Sequence, residues 1–335
     1  MAPALGVLNI GLVTGVGLNG PATCAAIRTG VSGFVETHFK VDGEWLIGCP
    51  VPFPEPCVGR EQLLRMVGTA VRECLTGFDA ARLRGAPLLL CLPEQDRPGR
   101  LNGLDGGFLR EVERRANLTA HGESTWLPYG RVAGVQALDH AAKLVSSGRH
   151  YCIVAGVDSL LVRATLEAYR ESRLLQTAAN SDGFIPGQAA AALLVGPPSE
   201  AGMVLEGVGY GTEPAPVRSE QPLRADGMVQ AITAALTQAG VSLGQVDYRI
   251  ADISGAQYYF KEAALAVTRV LRQRKQDWQL WLPSDCVGEV GAAIGPLTTA
   301  VAFLAAVKGY SPGKRLLSHF ATDGPSRAAA VLSAA

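Results

Sequence analysis

The chain has 335 residues, 48% of them apolar, enough for a large shared core and, by length, about two domains or one duplicated unit. Thirty basic residues balance thirty acidic ones, so no net field draws the protein to nucleic acid or to an anionic membrane. The seven cysteines (24, 49, 57, 74, 91, 152 and 286) are odd in number, scattered and without a CxxC spacing, which excludes a disulfide framework and a zinc ribbon and suits a reducing cytoplasm.

The opening MAPALGVLNIG lacks the basic start of a signal peptide, and its apolar run continues into a strand, GVLNIGLVT. Next comes TGVGLNG (14–20), a GxGxxG stretch before the helical PATCAAIRTG, with Glu36 about the right distance onward for a ribose contact. A dinucleotide site is one reading of it. A plain tight turn is the other, since Pro21 stands where a pyrophosphate needs a backbone N–H. APLLLCL (86–92) and ESTWL (Glu123–Leu127) read as strands, and Ser124 and Thr125 there are expected to make sheet or interface hydrogen bonds.

PYGRVAGVQALDHAAKLVSSG (128–148) reads as a helix burying Val132, Val135, Leu138 and Leu144, yet its first turn carries Arg131. Free N–H groups and the positive end of the dipole there favour an anion, a capping oxygen or a thiolate, not a cation. The strands YCIVAGV and AAALLVG follow, then a break at GPPSEAG (196–202).

Beyond the break the alternation starts again, with strands MVLEGVGYG, DYRIADI, WQLWLPS and RAAAVLS separated by helices at 227–239, 261–272 and 291–307. This is an α/β chain of two similar halves, 1–199 and 200–335, whose strands are apolar on both faces, as expected where helices cover a sheet on each side. The uncharged run 290–307 is diluted by Gly, Pro and Thr and reads as a core helix, not a membrane span. Arg269, Arg272, Arg274 and Lys275 form a solvated helix end, where cations suit the dipole.

Six segments in order carry a family resemblance. TGVGLNG with AAIRTGVSGF after it resembles the opening of the β-ketoacyl synthases of the thiolase superfamily. HAAKLVSSGRHYCIVAGVDSLL is similar to the family's helix after the nucleophile and its AGG strand, and SDGFIPGQAAAALLVG to the DGFVxGEGAG segment. DGMVQAITAALTQAGVSLGQVDYRIADISG, LPSDCVGEVGAAIGPLTTAVAFLAA and LSHFATDGPSRAAAVL fall where the VEAHGTGT, KSNIGHTLGAAG and NSFGFGGTN segments belong. The chain is shorter than a usual ketosynthase, chiefly between Phe34 and Gly122 and between Leu161 and Asp182.

The resemblance implies a thiolase-like five-layer αβαβα fold, each half contributing a mixed sheet between helical layers. It also implies a dimer, homo- or heterodimeric, through the strand Glu123, Ser124, Thr125, Trp126 and Leu127, with Trp126 as a plausible anchor. Family members condense acyl groups with a cysteine at a helix N-terminus and two histidines. Carried over residue by residue, the cysteine falls at Arg131 (Gly130 if the register slips by one), the histidines at Asp252 and Glu289, and the lysine of the last motif at Ser284. Of the FGFGG glycines, FATDG keeps only Gly324.

A guanidinium stays protonated and cannot attack a thioester, and a carboxylate beside a developing oxyanion raises its energy. The expectation is therefore that condensation by the family's mechanism is lost, and that Arg131, Asp252 and Glu289 form an internal ion-pair cluster in the former site. No cofactor and no metal is expected, although Asp252 and Glu289 with His319 make a conceivable ligand set. Cys286, next to the old histidine motif, is the candidate alternative nucleophile; a small buried hydrophobe is its blander reading. His38, His121, His140 and His150 read as surface or helix-face residues.

Three function classes stand open: a binding protein (scaffold, chaperone, adaptor of a client or effector, or heterodimer subunit), an acyl-group enzyme with a rebuilt site, and a small-molecule or nucleotide binder using the old cleft.

Overall fold

Hydrophobic periodicity in this chain switches repeatedly between two and about 3.6, and the computed structural model, which describes residues 5–79, 81–276 and 278–335, resolves those switches into strands and helices. The first half runs β1 (Leu5–Thr14), α1 (Gly20–Thr29), β2 (Val35–Val41), β3 (Glu44–Gly48), α2 (Gly59–Cys74), β4 (Leu88–Cys91), α3 (Gly106–Arg115), β5 (Thr125–Leu127), α4 (Ala133–Ser146), β6 (Cys152–Ser159), α5 (Arg163–Glu171) and β7 (Gln188–Gly196). The second half runs β8 (Met203–Thr212), α6 (Asp226–Ala239), β9 (Tyr248–Ala251), α7 (Gln257–Val270), β10 (Leu280–Trp281), α8 (Ser284–Val287), α9 (Ile294–Val307), β11 (Arg315–Ala321) and β12 (Ser326–Ala334).

The strand order is β10-β9-β11-β12-β8-β1-β7-β6-β4-β5. Read outward from the β1/β8 junction, the two sides repeat one pattern. β1/β7 and β8/β12 are antiparallel, as are β7/β6 and β12/β11, whereas β6/β4/β5 and β11/β9/β10 are parallel. Leu5–Val7 paired with Met203–Leu205 joins the two mixed sheets along one edge. A separate hairpin, β2/β3, stands beside them.

The side chains of β7 show the layering. Ala189, Ala191, Leu193 and Val195 face a central core shared with α4 and α9, while Ala190, Ala192 and Leu194 face an outer core under α2 and α3. On β12, Ala328, Ala330 and Leu332 point to the same centre, and Ala329 and Val331 to a second outer core under α6 and α7. The result is helix, sheet, helix, sheet, helix: the five-layer thiolase-like arrangement, with the run 290–307 forming its central, almost wholly buried helix.

Where α4 and α9 cross, backbone meets backbone. A Cβ added at Gly134 would lie 2.7 Å from the Gly295 Cα, so neither position has room for a side chain. Gly134→Ala is therefore expected to cost about 1–3 kcal/mol through overpacking, measured as a lowered urea midpoint with an unchanged slope.

Candidate functional site

The sequence places Arg131 in the first turn of a helix; the structure places it one step earlier. Gly130 has φ +55°, which starts a short 3-10 turn, Gly130–Val132, and α4 proper begins at Ala133. The second half repeats the device: Gly291, at φ +51°, starts the 3-10 turn Gly291–Ala293 before α9. Arg131 thus has Ala292 as its counterpart. Both turns lie at the middle of the molecule, where the carboxyl ends of β4, β6 and β9 converge.

Arg131 is buried there, its side chain 8% exposed, and its guanidinium serves four groups from four segments. One terminal nitrogen is 3.2 Å from Glu289 Oε2. The other donates to Tyr259 Oη at 2.7 Å and to Asp323 Oδ1 at 2.6 Å. Nε is 3.8 Å from Asp252 Oδ2. The three residues singled out in the sequence are therefore in mutual reach, and Tyr259 of α7 and Asp323 of the β11–β12 loop complete the set.

Each carboxylate is also held by its own neighbours. Glu289 Oε2 accepts from Ser254 Oγ at 2.6 Å and Oε1 from the Gly291 N–H at 2.8 Å. Asp252 Oδ2 accepts from the Ala321 N–H at 2.9 Å. A second ion pair lies alongside: Arg97 to Asp158 Oδ2 at 2.5 Å, with Asp158 also accepting from the Ala292 N–H at 3.0 Å. Glu94 presses its carboxyl against the Gly130 Cα, where a Cβ would collide with it.

Two guanidiniums, Arg131 and Arg97, thus face five carboxyl groups: Glu94, Asp158, Asp252, Glu289 and Asp323. Buried charge that exceeds its partners is neutralised by protons. Burial pushes Asp252 up to about 7, only partly offset by Arg131 and the Ala321 N–H. Burial likewise raises Glu94. For Asp323 burial is outweighed by Arg131 and by hydrogen bonds from Tyr259 and Tyr169, so its carboxyl stays below the usual range. Arg131 is held fully charged, the anions and Tyr259 overcoming the desolvation.

Space at the centre is small. A void of about 20 Å³ remains among Glu94, Arg97, Arg131, Tyr169, Glu289 and Asp323, room for a single water. Outside it an open cleft of about 730 Å³ leads to the surface past Tyr129, Arg218 and the Thr322–Ser326 loop. Asp323 lines both, so it forms part of the partition between them.

The remaining candidates lie elsewhere. Cys286 is buried in α8, its thiol raised by burial and by Asp285, and among the described residues no hydrogen bond joins it to Glu289. Ser284, also in α8, is buried with its hydroxyl unpartnered. His319 points from β11 to the outer face of its sheet, with Leu317 and Ala321, away from Asp252 and Glu289; burial and then Arg249 lower it to about 3. Among the described residues no group of three His, Cys, Asp or Glu could hold a metal. The GxGxxG turn is partly filled from within: Glu73 accepts from the Gly20 and Leu12 N–H groups and Asn19 Oδ1 from the Ala22 N–H, so two of the N–H groups that open α1 are already bound.

Thr125–Leu127 forms the outermost strand of its sheet, paired with β4 on one side only, and all three residues are partly exposed. Ser124 Oγ accepts from the Leu88 N–H at 3.0 Å, and Glu123 pairs with Arg149 at 2.6 Å. No described helix is long and apolar enough to cross a membrane.

Sequence reading missed Tyr259, Ser254, Asp323, Glu94 and the Arg97–Asp158 pair. The internal match of YGRVAG (129–134) with VGAAIG (290–295) was the available signal, since it marks the two equivalent turns around which they gather.

Comparison with known proteins agrees with this architecture. No protein-family model matches the chain. A curated relative from Schizosaccharomyces pombe, "Putative 3-oxoacyl-[acyl-carrier-protein] synthase, mitochondrial", is 26% identical over 204 residues, covering 54% of this chain and 48% of the relative. The chain thus matches about half the length of that relative. Among solved structures, the AntDE:AntF assembly, a type II PKS acyl-carrier protein in complex with its ketosynthase bound to the hexaketide, contains a chain matched at TM-score 0.82, with 14% identity and full coverage of both chains. The ishigamide ketosynthase/chain length factor matches at 0.81, with 16% identity and 99% of both chains. The ketosynthase ApeO in complex with its chain length factor ApeC, from Xenorhabdus doucetiae, matches at 0.74, with 15% identity over 99% of this chain and 98% of that one. The fold is that of the ketosynthases.

The raised Asp252 carboxyl has a pH signature. The folded state keeps a proton that the unfolded chain releases above about pH 4, so the stability this group contributes is full below that pH and declines as pH rises towards 7. Urea unfolding of wild type against Asp252→Asn should show wild type losing stability relative to the variant across this window, and a constant difference above it.

Proposed function

We propose that this ketosynthase-fold protein works by binding and not by condensation, as an accessory or adaptor subunit, and that it pairs with a ketosynthase-like chain through the open edge of β5. The observation that carries the reading is the burial of the Arg131 guanidinium, with three carboxylates, at the position where the resemblance expects a cysteine thiolate. A permanently charged side chain offers no nucleophile. Glu289, where one histidine is expected, offers carboxyl oxygens instead of an imidazole donor to an oxyanion, and Asp252, at the other, can donate only while it keeps its proton. The void of about 20 Å³ beside Arg131 and Glu289 has no space for an acyl chain.

The pairing reading is supported by the free edge of β5, which presents backbone groups to a partner strand, and by Trp126 on that strand, a residue type that often dominates interface energy. The similar structures of paired ketosynthase and chain length factor are compatible with the same use of the fold.

A rival reading keeps one observation on its side. Ser254 Oγ donates to Glu289 Oε2 at 2.6 Å, a hydroxyl next to a carboxylate base, which is the beginning of a rebuilt acyl-transfer site.

Intact-mass analysis of the full chain after incubation with acetyl and malonyl thioesters separates the two. The binding reading expects an unchanged mass and no carbon dioxide release; an acyl adduct mapping to Ser254 or Cys286 would replace it with the rival.

For the interface, Trp126→Lys places a charge on the β5 edge. Light scattering should show a shift to smaller species, or co-purification should show loss of the partner chain, in a variant whose circular dichroism still matches wild type; because Trp126 also packs on the outer core, some lowering of the unfolding midpoint is expected.

A further inference from the structure

A second cavity lies on the other face of the first sheet. It encloses about 550 Å³ between the β2/β3 hairpin, the start of α2 and the ends of β6 and β7. Strand alternation separates it from the charged centre. Asp158 turns inward to Arg97 and Ala292, and the next residue, Ser159, turns outward into this cavity. Gln188, the first residue of β7, faces the same way.

The walls are apolar, formed by Phe39, Val51, Phe53, Leu101, Leu161 and Val162. The floor is a chain of neutral polar groups: Gln62 Nε2 donates to Gln188 Oε1 at 2.7 Å, the Val51 N–H to the same oxygen at 3.1 Å, and Gln188 Nε2 to Ser159 Oγ at 2.9 Å. Gln188 and Ser159 are each 5% exposed.

This relay uses the Gln188 oxygen fully but leaves four valences over. The Ser159 hydroxyl proton, the second N–H of Gln188 and of Gln62, and the Gln62 Oε1 have no partner among the described residues. Left-over donors and an acceptor at the bottom of an apolar cavity of this size are the general pattern of a small-molecule site. The lining contains no Lys or Arg, and its one carboxylate, Glu36, and its one imidazole, His38, are exposed at the rim and not at the floor. A carboxylate ligand would find no counter-charge at the floor, nor would an ammonium.

We infer that this cavity binds an uncharged amphiphile, apolar along its body and ending in a hydroxyl or carbonyl that hydrogen-bonds Ser159 and Gln188. The site is independent of the Arg131 cluster and of the function proposed for it.

Cys57 supplies the readout. It lies on the cavity rim and is partly exposed, whereas the other six cysteines are buried, so a thiol reagent applied to the native full chain reports on this rim. Iodoacetamide labelling of Cys57, located by peptide mass, would be followed with 1-decanol, decanoate and decylamine as probes. Saturable protection by decanol, with the two charged analogues needing at least tenfold higher concentration, is the expected result. Ser159→Ala should raise the decanol concentration for half-protection about fivefold, the order of one neutral hydrogen bond, with Cys57 still labelled at the wild-type rate when no probe is present. Equal protection by all three amphiphiles, or none by decanol, would overturn the site. An unchanged decanol response in Ser159→Ala would overturn the assigned head-group contact.

Discussion

The centre of this protein depends on one guanidinium. Arg131 reaches segments far apart in sequence, the end of β9, α7, the turn before α9 and the β11–β12 loop, through groups on Asp252, Tyr259, Glu289 and Asp323. A buried pair of this kind adds little net stability compared with a well-packed apolar core, but removing one partner strands the rest in low dielectric. It ties those four segments to one point. Carboxyl groups outnumber guanidiniums there, and Asp252, pushed up to about 7 by burial that Arg131 and the Ala321 N–H offset only in part, keeps a proton into the neutral range.

The duplicated architecture explains why the charges meet. Each half enters its central helix through a glycine-started 3-10 turn, and the two helices, α4 and α9, touch at Gly134 and Gly295. That contact brings the turns together at the carboxyl ends of two sheets, the place where open α/β folds gather polar side chains. In one half the turn carries Arg131. In the other it carries Ala292, whose N–H binds Asp158, itself paired with Arg97. One scaffold position is thus filled by a cation in the first half and by a carboxylate from a neighbouring strand in the second.

These interactions close the centre and leave the periphery open. The cleft past Tyr129 ends at Asp323, and the cavity near Gln188 is walled off by β6 itself, since Asp158 and Ser159 point to opposite faces. The closely filled centre, the free sheet edge of β5 and the peripheral cavities are built from different residues, so each can be altered separately.

The α/β class, the restart of the pattern after residue 196 and the buried nature of 290–307 were legible in the sequence, because strand and helix periodicities and Gly/Pro breaks are local properties. So was the oddity of a cation at Arg131, since helix-end electrostatics depends on adjacent residues alone. The family resemblance brought Asp252 and Glu289 to the same place, and tertiary structure added the groups that complete the set. Tyr259 and Asp323 are separated from Arg131 by more than a hundred residues and carry no local mark, and the 3-10 turn depends on a left-handed Gly130 fitted against Glu94. The raised Asp252 and Glu94 carboxyls and the lowered Asp323 carboxyl likewise follow from burial and distance, quantities that exist only once the two halves have packed.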